Sequence, residues 1–163
     1  MATLLLGMGN TIVSDDAIGV LLARDLGARL SDTPSLDVVD EGPPGTLDLV
    51  ERLLGYERVI VLDSIRTRDG RPGTWYSFTA AALRGTTNLR NVHDTNFATA
   101  LELSRQLGLR LPGDDQIHIL AVEILQNDTF GESLSPPLAA AYPQLVDELL
   151  AEIRRLLGLE TIA

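Results

Sequence analysis

The stretch LLLGMGNTIVSDDAIG, from Leu4 to Gly19, carries the pattern that predicts the fold. Its first part, Leu4 to Leu6, is a short apolar run typical of a buried strand. The run breaks at Gly7-Met8-Gly9-Asn10, because glycine permits a sharp turn and Asn tolerates unusual backbone angles. Ser14-Asp15-Asp16 then predicts the start of a helix, with Ser14 as the N-cap and both acids at the positive end of the helix dipole.

The alternation of strand and helix continues to the end of the chain. Further strands are predicted over 36–39, 59–62, 74–78 and 117–122, and helices over 17–29, 46–54, about 94–107 and 136–157. This order predicts an α/β fold, a three-layer α/β/α sandwich around a five-stranded, mostly parallel sheet. Right-handed crossovers place the first and third strands side by side, with the second outside the first. The run 74–78 follows the third strand without a crossover helix, so we expect one antiparallel edge strand.

Composition narrows the class of protein. A chain of 163 residues is most simply one domain, 1–163, with a core of its own. The net charge of −10 argues against nucleic acid and anionic membranes as partners and is compatible with a cationic ligand. There is no cysteine, so a metal would be held by oxygen and nitrogen atoms. No apolar run spans a bilayer and no signal peptide is recognisable, which predicts a cytoplasmic protein.

Acidic residues follow the first and third predicted strands. Asp15 and Asp16 come after the first, and Asp63 comes directly after Val59–Leu62. Ligands bind at the carboxyl ends of parallel strands where the winding of the sheet reverses, so these acids are expected in one crevice. His93, in a polar loop, is the candidate third member. Two carboxylates and an imidazole suit a divalent metal.

Other interpretations of these residues stay open. A carboxylate pair can instead polarise a water molecule, in aspartyl protease-like chemistry, with one acid kept protonated by the other's charge. Asp15 and Asp16 are also explained by the helix dipole alone. Glu41 and Glu123 fall at the carboxyl ends of strands, where they line the crevice or are merely solvated. His118 is interpreted as a packed or half-exposed core histidine.

The glycines also raise the question of nucleotide binding. Gly7-x-Gly9 follows a strand and precedes a helix, as in a dinucleotide-binding fingerprint. The third glycine is replaced by Ile12, and Asp15 and Asp16 stand where a pyrophosphate would need bare N–H groups. A nucleotide-binding domain is therefore the weaker hypothesis.

Three motifs, taken in order, resemble a known family. The chain resembles the maturation proteases of [NiFe] hydrogenases at G-M-G-N-x-x-x-x-D-D-x-x-G (7–19), V-I-V-L-D-S (59–64) and V-H-D (92–94). A fourth stretch resembles a loop in part of that family: F-G-x-x-L-S-P at 130–136. Ala17 departs from the glycine that many members have after the second acid. D-E-G-P-P-G at 40–45 departs from the usual D-x-G-T stretch, which affects expected substrate contacts more than the metal site.

The resemblance implies an endopeptidase that removes a C-terminal extension from the hydrogenase large-subunit precursor after nickel insertion. It assigns the family's two metal-binding acids to Asp16 and Asp63 and its histidine to His93. It implies nickel as the metal, supplied by the precursor, and a phosphorylase/hydrolase-like sandwich with one antiparallel strand. A non-catalytic metal- or partner-binding chaperone on the same fold is the alternative.

Overall fold

In the part of the chain that the structure describes, a five-stranded sheet is flanked by four α-helices. The computed structural model describes the backbone of residues 1–42, 45–85 and 92–160, and all of their side chains except those of residues 84–96. The strands are β1 (Thr3–Gly7), β2 (Leu36–Val39), β3 (Arg58–Ile65), β4 (Trp75–Thr79) and β5 (Ile117–Glu123). The helices are α1 (Ile18–Arg29), α2 (Thr46–Leu53), α3 (Val92–Gln106) and α4 (Pro136–Leu156), with 3₁₀ turns at Ala80–Gly85 and Asp114–Gln116.

The strand order confirms the predicted topology. It is β2-β1-β3-β5-β4, in which β4 alone is antiparallel and lies at an edge. In the parallel part of the sheet, Leu6 of β1 lies opposite Val39 of β2 and Val61 of β3. The winding therefore reverses between β1 and β3, as the sequence predicts, and this is the point at which open α/β sheets bind ligands.

Successive side chains of each strand enter different cores, because the strand period is two. Leu5 packs against α1 and α4, whereas Leu4 and Leu6 pack against α2 and α3. All three are fully buried, which explains why β1 is an uninterrupted apolar run. No helix in the described ranges is both long enough and apolar enough to cross a bilayer.

The predicted start of the first helix is wrong by several residues. Helix α1 begins at Ile18 with Ala17 at the N-cap, and no side chain caps it. Ser14 is not the cap, because its hydroxyl donates to the backbone oxygen of Ser133. Asp15 cannot continue a helix, because its φ of 65° is left-handed. Both acids thus belong to the turn before the helix, where other parts of the chain hold them.

The third strand is longer than its apolar run. Strand β3 continues to Ile65, so Asp63 lies within the strand, where a position after its end was predicted. The reason is that β5 also continues: Asp63 pairs with Ala121, and Ile65 pairs with Glu123. Strand β1 ends earlier, at Gly7 opposite Leu62, which leaves the last residues of β3 beyond its end. Helix α3 begins at Val92, slightly before the predicted start.

Candidate active site

The turn after β1 doubles back over the end of β3. Its first residue, Met8, donates its backbone N–H to the oxygen of Leu62 at 2.9 Å. Helix α1 then packs so closely that a Cβ at Gly19 would overlap the backbone oxygens of Met8 and Leu62. Gly9 has a φ of 144° and lies against the backbone of Asp16. These close approaches require glycine, and they bring the turn into contact with the carboxyl-terminal half of β3.

Asp16 is buried where this turn meets β3. The residue is only 7% exposed. One carboxylate oxygen, Oδ2, accepts the backbone N–H of Asn10 at 2.9 Å. The other, Oδ1, accepts the hydroxyl of Ser64 at 3.1 Å. Asp16 therefore connects its own turn to the neighbouring strand, and its position relative to β3 is fixed from both sides.

Asp63 lies next to that contact. It is 3% exposed, and its Oδ1 accepts the backbone N–H of Ser64 at 2.7 Å. Ser64 thus contacts both acids, Asp63 through its amide and Asp16 through its hydroxyl. A carboxylate with little access to water is stable only where hydrogen-bond donors, a cation or a proton compensate for its charge. The two acids that the sequence singles out are thus linked through Ser64, and their role in a common site stays a prediction.

The third candidate, His93, has its backbone in the first turn of α3, while its side chain lies outside the described residues. Asp63 occupies the face of the sheet that also carries Val59 and Val61, which pack in the core shared with α3. Among the described side chains, no three His, Cys, Asp or Glu residues form a group that could hold a metal ion. One of the three predicted metal ligands, the imidazole of His93, is therefore outside the described side chains.

Asp15 has a structural environment unlike that of its neighbour. It is fully buried, and its carboxylate accepts four hydrogen bonds. The donors are the backbone amides of Leu125, Gln126 and Ser135 and the hydroxyl of Ser135, at 2.7 to 3.2 Å. A carboxylate so surrounded by donors is held in place as an acceptor. Asp15 joins the turn that carries Asp16 to the segment between β5 and α4.

The other candidate residues lie elsewhere or have other contacts. Glu123 is fully buried, and its Oε1 accepts the amide and the hydroxyl of Thr67 at 2.8 Å each, so it holds the segment after β3. Glu41 is exposed. His118 is half-buried near the amino end of β5, at the opposite edge of the sheet from Asp63. Burial lowers its pKa, and the positive charges of Arg58 and Arg155 lower it further.

Sequence analysis did not single out Ser64 or Ser135. Ser64 directly follows Asp63, and a small hydroxyl residue beside a buried strand acid was the signal available. Ser135 immediately precedes the proline that starts α4 and occupies the N-cap position of that helix. Its hydroxyl serves Asp15 instead of capping the helix. Neither hydroxyl contact was predictable from spacing, since Asp16 lies 48 positions from Ser64 and Asp15 lies 120 positions from Ser135.

Comparison with known proteins adds relatives of the whole chain. The family model described as hydrogenase maturation protease (HycI) matches residues 20–152. Asp63 and His93 fall inside this segment, and Asp16 lies just before it. The hydrogenase 2 maturation protease of Escherichia coli K12 is 25% identical over 164 residues, covering 99% of this chain and 96% of the relative.

Solved structures share the fold. The hydrogenase maturating endopeptidase HybD from Escherichia coli superposes with a TM-score of 0.75 at 23% identity, covering 95% of this chain and 93% of that one. The [NiFe] hydrogenase maturation protease HybD from Thermococcus kodakarensis gives a TM-score of 0.69 at 22% identity, covering 91% and 97%. The five-stranded sandwich with one antiparallel strand is thus an architecture that these endopeptidases also have.

Proposed function

Because this chain belongs to the hydrogenase maturation protease family, we propose that it cleaves the C-terminal extension from a [NiFe] hydrogenase large-subunit precursor after nickel insertion. The chain is a peptidase, and its relatives are maturation proteases and endopeptidases. The particular substrate and the dependence on nickel are the proposal. We place this reaction in the cytoplasm, where the absence of cysteine from the sequence is unremarkable.

The observation that carries the proposal is the pair of buried carboxylates at the carboxyl edge of the sheet. Asp16 contacts the hydroxyl of Ser64 from the turn after β1, and Asp63 contacts the amide of Ser64, its neighbour in β3. Both acids are less than a tenth exposed. Burying a carboxylate is unfavourable unless hydrogen-bond donors, a cation or a proton compensate for its charge. Such a cost within a crevice is expected at a functional site.

The donor set suits nickel carried by the precursor. Asp16 and Asp63 provide oxygen ligands, and His93 would provide an imidazole nitrogen from the first turn of α3. These three side chains would therefore bind a precursor that carries the metal and would not bind one that lacks it. Bound there, the ion supplies Lewis-acid polarisation of a nearby carbonyl or water.

Within the chain, the acids divide into distinct roles. Asp15 is unsuited to activating water, because its carboxylate already accepts four hydrogen bonds and no part of the residue is exposed. Glu41 is exposed to bulk water. Asp16 and Asp63 are therefore the acids proposed to orient the scissile segment and to accept or share the proton of the attacking water.

The test is the intact mass of a nickel-loaded precursor before and after incubation with the protein. Wild type is expected to release a C-terminal fragment, whereas Asp16→Asn, Asp63→Asn and His93→Ala abolish release. Asp32→Asn, an exposed acid in the loop before β2, is the matched control and keeps full activity. Unchanged melting temperatures would show that the variants fold.

Three results would contradict the proposal. Formation of a complex without truncation would indicate a carrier rather than a protease acting on this precursor. Normal processing by His93→Ala would remove that residue from the site. Equal processing of nickel-free and nickel-loaded precursor would remove the metal from recognition.

A further inference from the structure

We propose that the groove between the start of β4 and helix α4 binds the carboxyl-terminal residues of the extension that the protease removes, with Arg71 receiving their α-carboxylate. The inference rests on the proposed function, because it names the part of the precursor that this groove holds. It concerns the end of the extension and not the bond that is cleaved.

The groove is one continuous cavity with two walls. Residues 71–75 form one wall, and the other is the face of α4 that runs from Pro137 through Ala140 and Gln144 to Glu148. At 1.5 Å per residue this face is about 16 Å long, which matches an extended peptide of about five residues. The cavity has a volume of about 860 Å³, which is within the range of ligand-binding pockets.

Small residues shape the groove. Ala140 is exposed on α4 and contributes only a methyl group. Gly73 has a φ of 92°, and a Cβ at this position would lie 2.5 Å from the Cβ of Ala141. The backbone of residues 71–75 therefore approaches the helix closely at Gly73, as only glycine permits. The space between the two walls is left for a ligand.

Trp75 is held in place before any ligand binds. Its Nε1 donates to Oε2 of Glu148 at 2.7 Å, and Nε2 of Gln144 donates to Oε1 of Glu148 at 2.6 Å. These hydrogen bonds, first from Gln144 and then from Trp75, lower the pKa of Glu148, so its carboxylate stays ionised as their acceptor. A preformed aromatic surface loses little conformational entropy when an apolar side chain packs on it.

Arg71 provides the groove with a cation. It is exposed, and it forms no ion pair with any residue that the structure describes. Glu148 also lines the groove, but its two oxygens accept from Trp75 and Gln144 instead. A guanidinium can bind a carboxylate through two parallel hydrogen bonds. The ligand that matches this groove therefore has apolar side chains and a carboxylate.

Both walls begin at the edge of the sheet near which the acids collect. The amide of Gly73 donates to the backbone oxygen of Glu123, the last residue of β5, at 3.0 Å. Ser135, directly before α4, donates to Asp15. The order β3-β5-β4 puts two strand spacings, about 10 Å, between the strand of Asp63 and that of Trp75. About three extended residues cover that distance.

The chemistry of the substrate then identifies the occupant. Any C-terminal extension ends in an α-carboxylate, whatever its sequence, and this group is ionised at neutral pH. An enzyme that removes such an extension can hold its end through a cation beside an apolar groove. We therefore assign Arg71 to the α-carboxylate and the surface between Trp75 and α4 to the last side chains of the extension.

The first experiment uses a synthetic peptide of the last six residues of the precursor, with either a free or an amidated carboxyl terminus. Trp75 is the only tryptophan of the chain, so its fluorescence reports on the groove. The free acid should bind about tenfold or more tightly than the amide, because amidation removes the charge that pairs with Arg71. Arg71→Gln should abolish this difference. Arg110→Gln, exposed in the loop before β5, is the matched control and should retain it.

A second variant fills the groove. Ala140→Phe should raise both the Kd of the free-acid peptide and the KM of precursor truncation about tenfold or more. Ala139→Phe, exposed on α4 outside the groove, is its matched control and should change neither value. Equal melting temperatures would show that both variants fold.

Each alternative gives a different result. Equal binding of acid and amide would overturn the assignment of Arg71 to the terminal carboxylate. Self-association of the protein that Ala140→Phe abolishes would assign the groove to a second copy of the chain. Absence of peptide binding, with an unchanged KM in Ala140→Phe, would overturn the inference and leave the proposed function intact. Peptide binding that depends on Arg71, without truncation of the precursor, would support the groove and contradict the proposed function.

Discussion

The hydroxyl of Ser64 donates a hydrogen bond to Oδ1 of Asp16 across 48 positions of sequence. It connects the turn after β1 to the end of β3 at the point where the sheet changes direction. The amide of Ser64 meanwhile donates to Asp63. Ser64 therefore contacts both of the acids that we assign to catalysis.

Replacing Ser64 with Ala should lower kcat for precursor truncation by about tenfold or more, because small displacements of catalytic groups have large effects on rate. It should also reduce the free energy of unfolding by about 2 kcal/mol, since the lost hydrogen bond is to a buried carboxylate. Processing rates and chemical denaturation measure the two effects.

Ser104→Ala is the matched control for this prediction. Ser104 is fully buried in α3, and its hydroxyl donates to the oxygen of Ala100. Its loss should cost about 1 kcal/mol, with no effect on kcat. If Ser64→Ala behaves like Ser104→Ala in the rate measurement, Ser64 has only a structural role.

Asp15→Asn should destabilise the protein strongly. All four groups that contact the carboxylate are donors, and an amide nitrogen in place of one oxygen would face them with a fifth donor. We expect a loss of about 3 kcal/mol in unfolding free energy. Asn tolerates the left-handed backbone, so backbone strain is not the cause.

Asp69→Asn provides the comparison, because Asp69 has a similar φ of 60° and is exposed. Its stability should remain within about 0.5 kcal/mol of wild type. Hydrogen exchange of the amides of Leu125, Gln126 and Ser135 should accelerate in Asp15→Asn alone. Unchanged exchange would show that Asp15 does not anchor that segment.

Gly19→Ala should be destabilising although alanine favours helices. The gain in helix propensity is about 1 kcal/mol. It is outweighed because the new Cβ would overlap the backbone oxygens of Met8 and Leu62, which cannot rotate away. We expect a net loss of about 2 kcal/mol. Gly131→Ala, where a Cβ meets nothing within 4 Å, should change stability by no more than about 0.5 kcal/mol. Thermal unfolding distinguishes these outcomes.

His118 should make stability depend on pH below neutrality. Burial, followed by the charge of Arg58, lowers its pKa below the ordinary 6.5, and Arg155 acts in the same direction. Glu152 and Asp115 oppose the shift without reversing it. As the pH falls through 6.5, the unfolded chain binds a proton more readily than the folded chain, so stability decreases.

His118→Gln removes this titration. Between pH 7 and about pH 5, its unfolding free energy should fall less than that of wild type. Urea denaturation at several pH values measures both slopes. Parallel slopes would contradict the assignment, and a wild type that gained stability on acidification would show that the pKa of His118 is raised.

Local sequence patterns were sufficient to predict the architecture of the sheet and its helices. The apolar run Leu4–Leu6 predicted a strand covered on both faces, and the run 59–62 predicted a central one. The lack of a crossover helix before residues 74–78 predicted the antiparallel edge. These inferences succeed because side-chain periodicity and connection length depend on residues close together in the chain.

Of the proposed site, the sequence predicted the placement of the two acids, while their role stays a prediction. Asp16 and Asp63 follow from their places near the carboxyl ends of β1 and β3. The start of α1 was wrong, because Ser14 and Asp15 carry good capping side chains whose hydrogen bonds go to a segment more than a hundred positions away. A capping preference assumes that the helix amides are the partners available to such a side chain. Here distant groups hydrogen-bond to Ser14 and Asp15 instead.

By itself, the sequence determined the α/β class, the strand order and the edge of the sheet at which the acids collect. It did so because those features follow from short-range apolar patterns and from the right-handed crossover. Only the tertiary structure decided that Asp15 anchors a loop while Asp16 faces β3, and that Ser64 joins the two acids. Adjacent carboxylates look alike in sequence, and their roles differ because folding surrounds each with different donors.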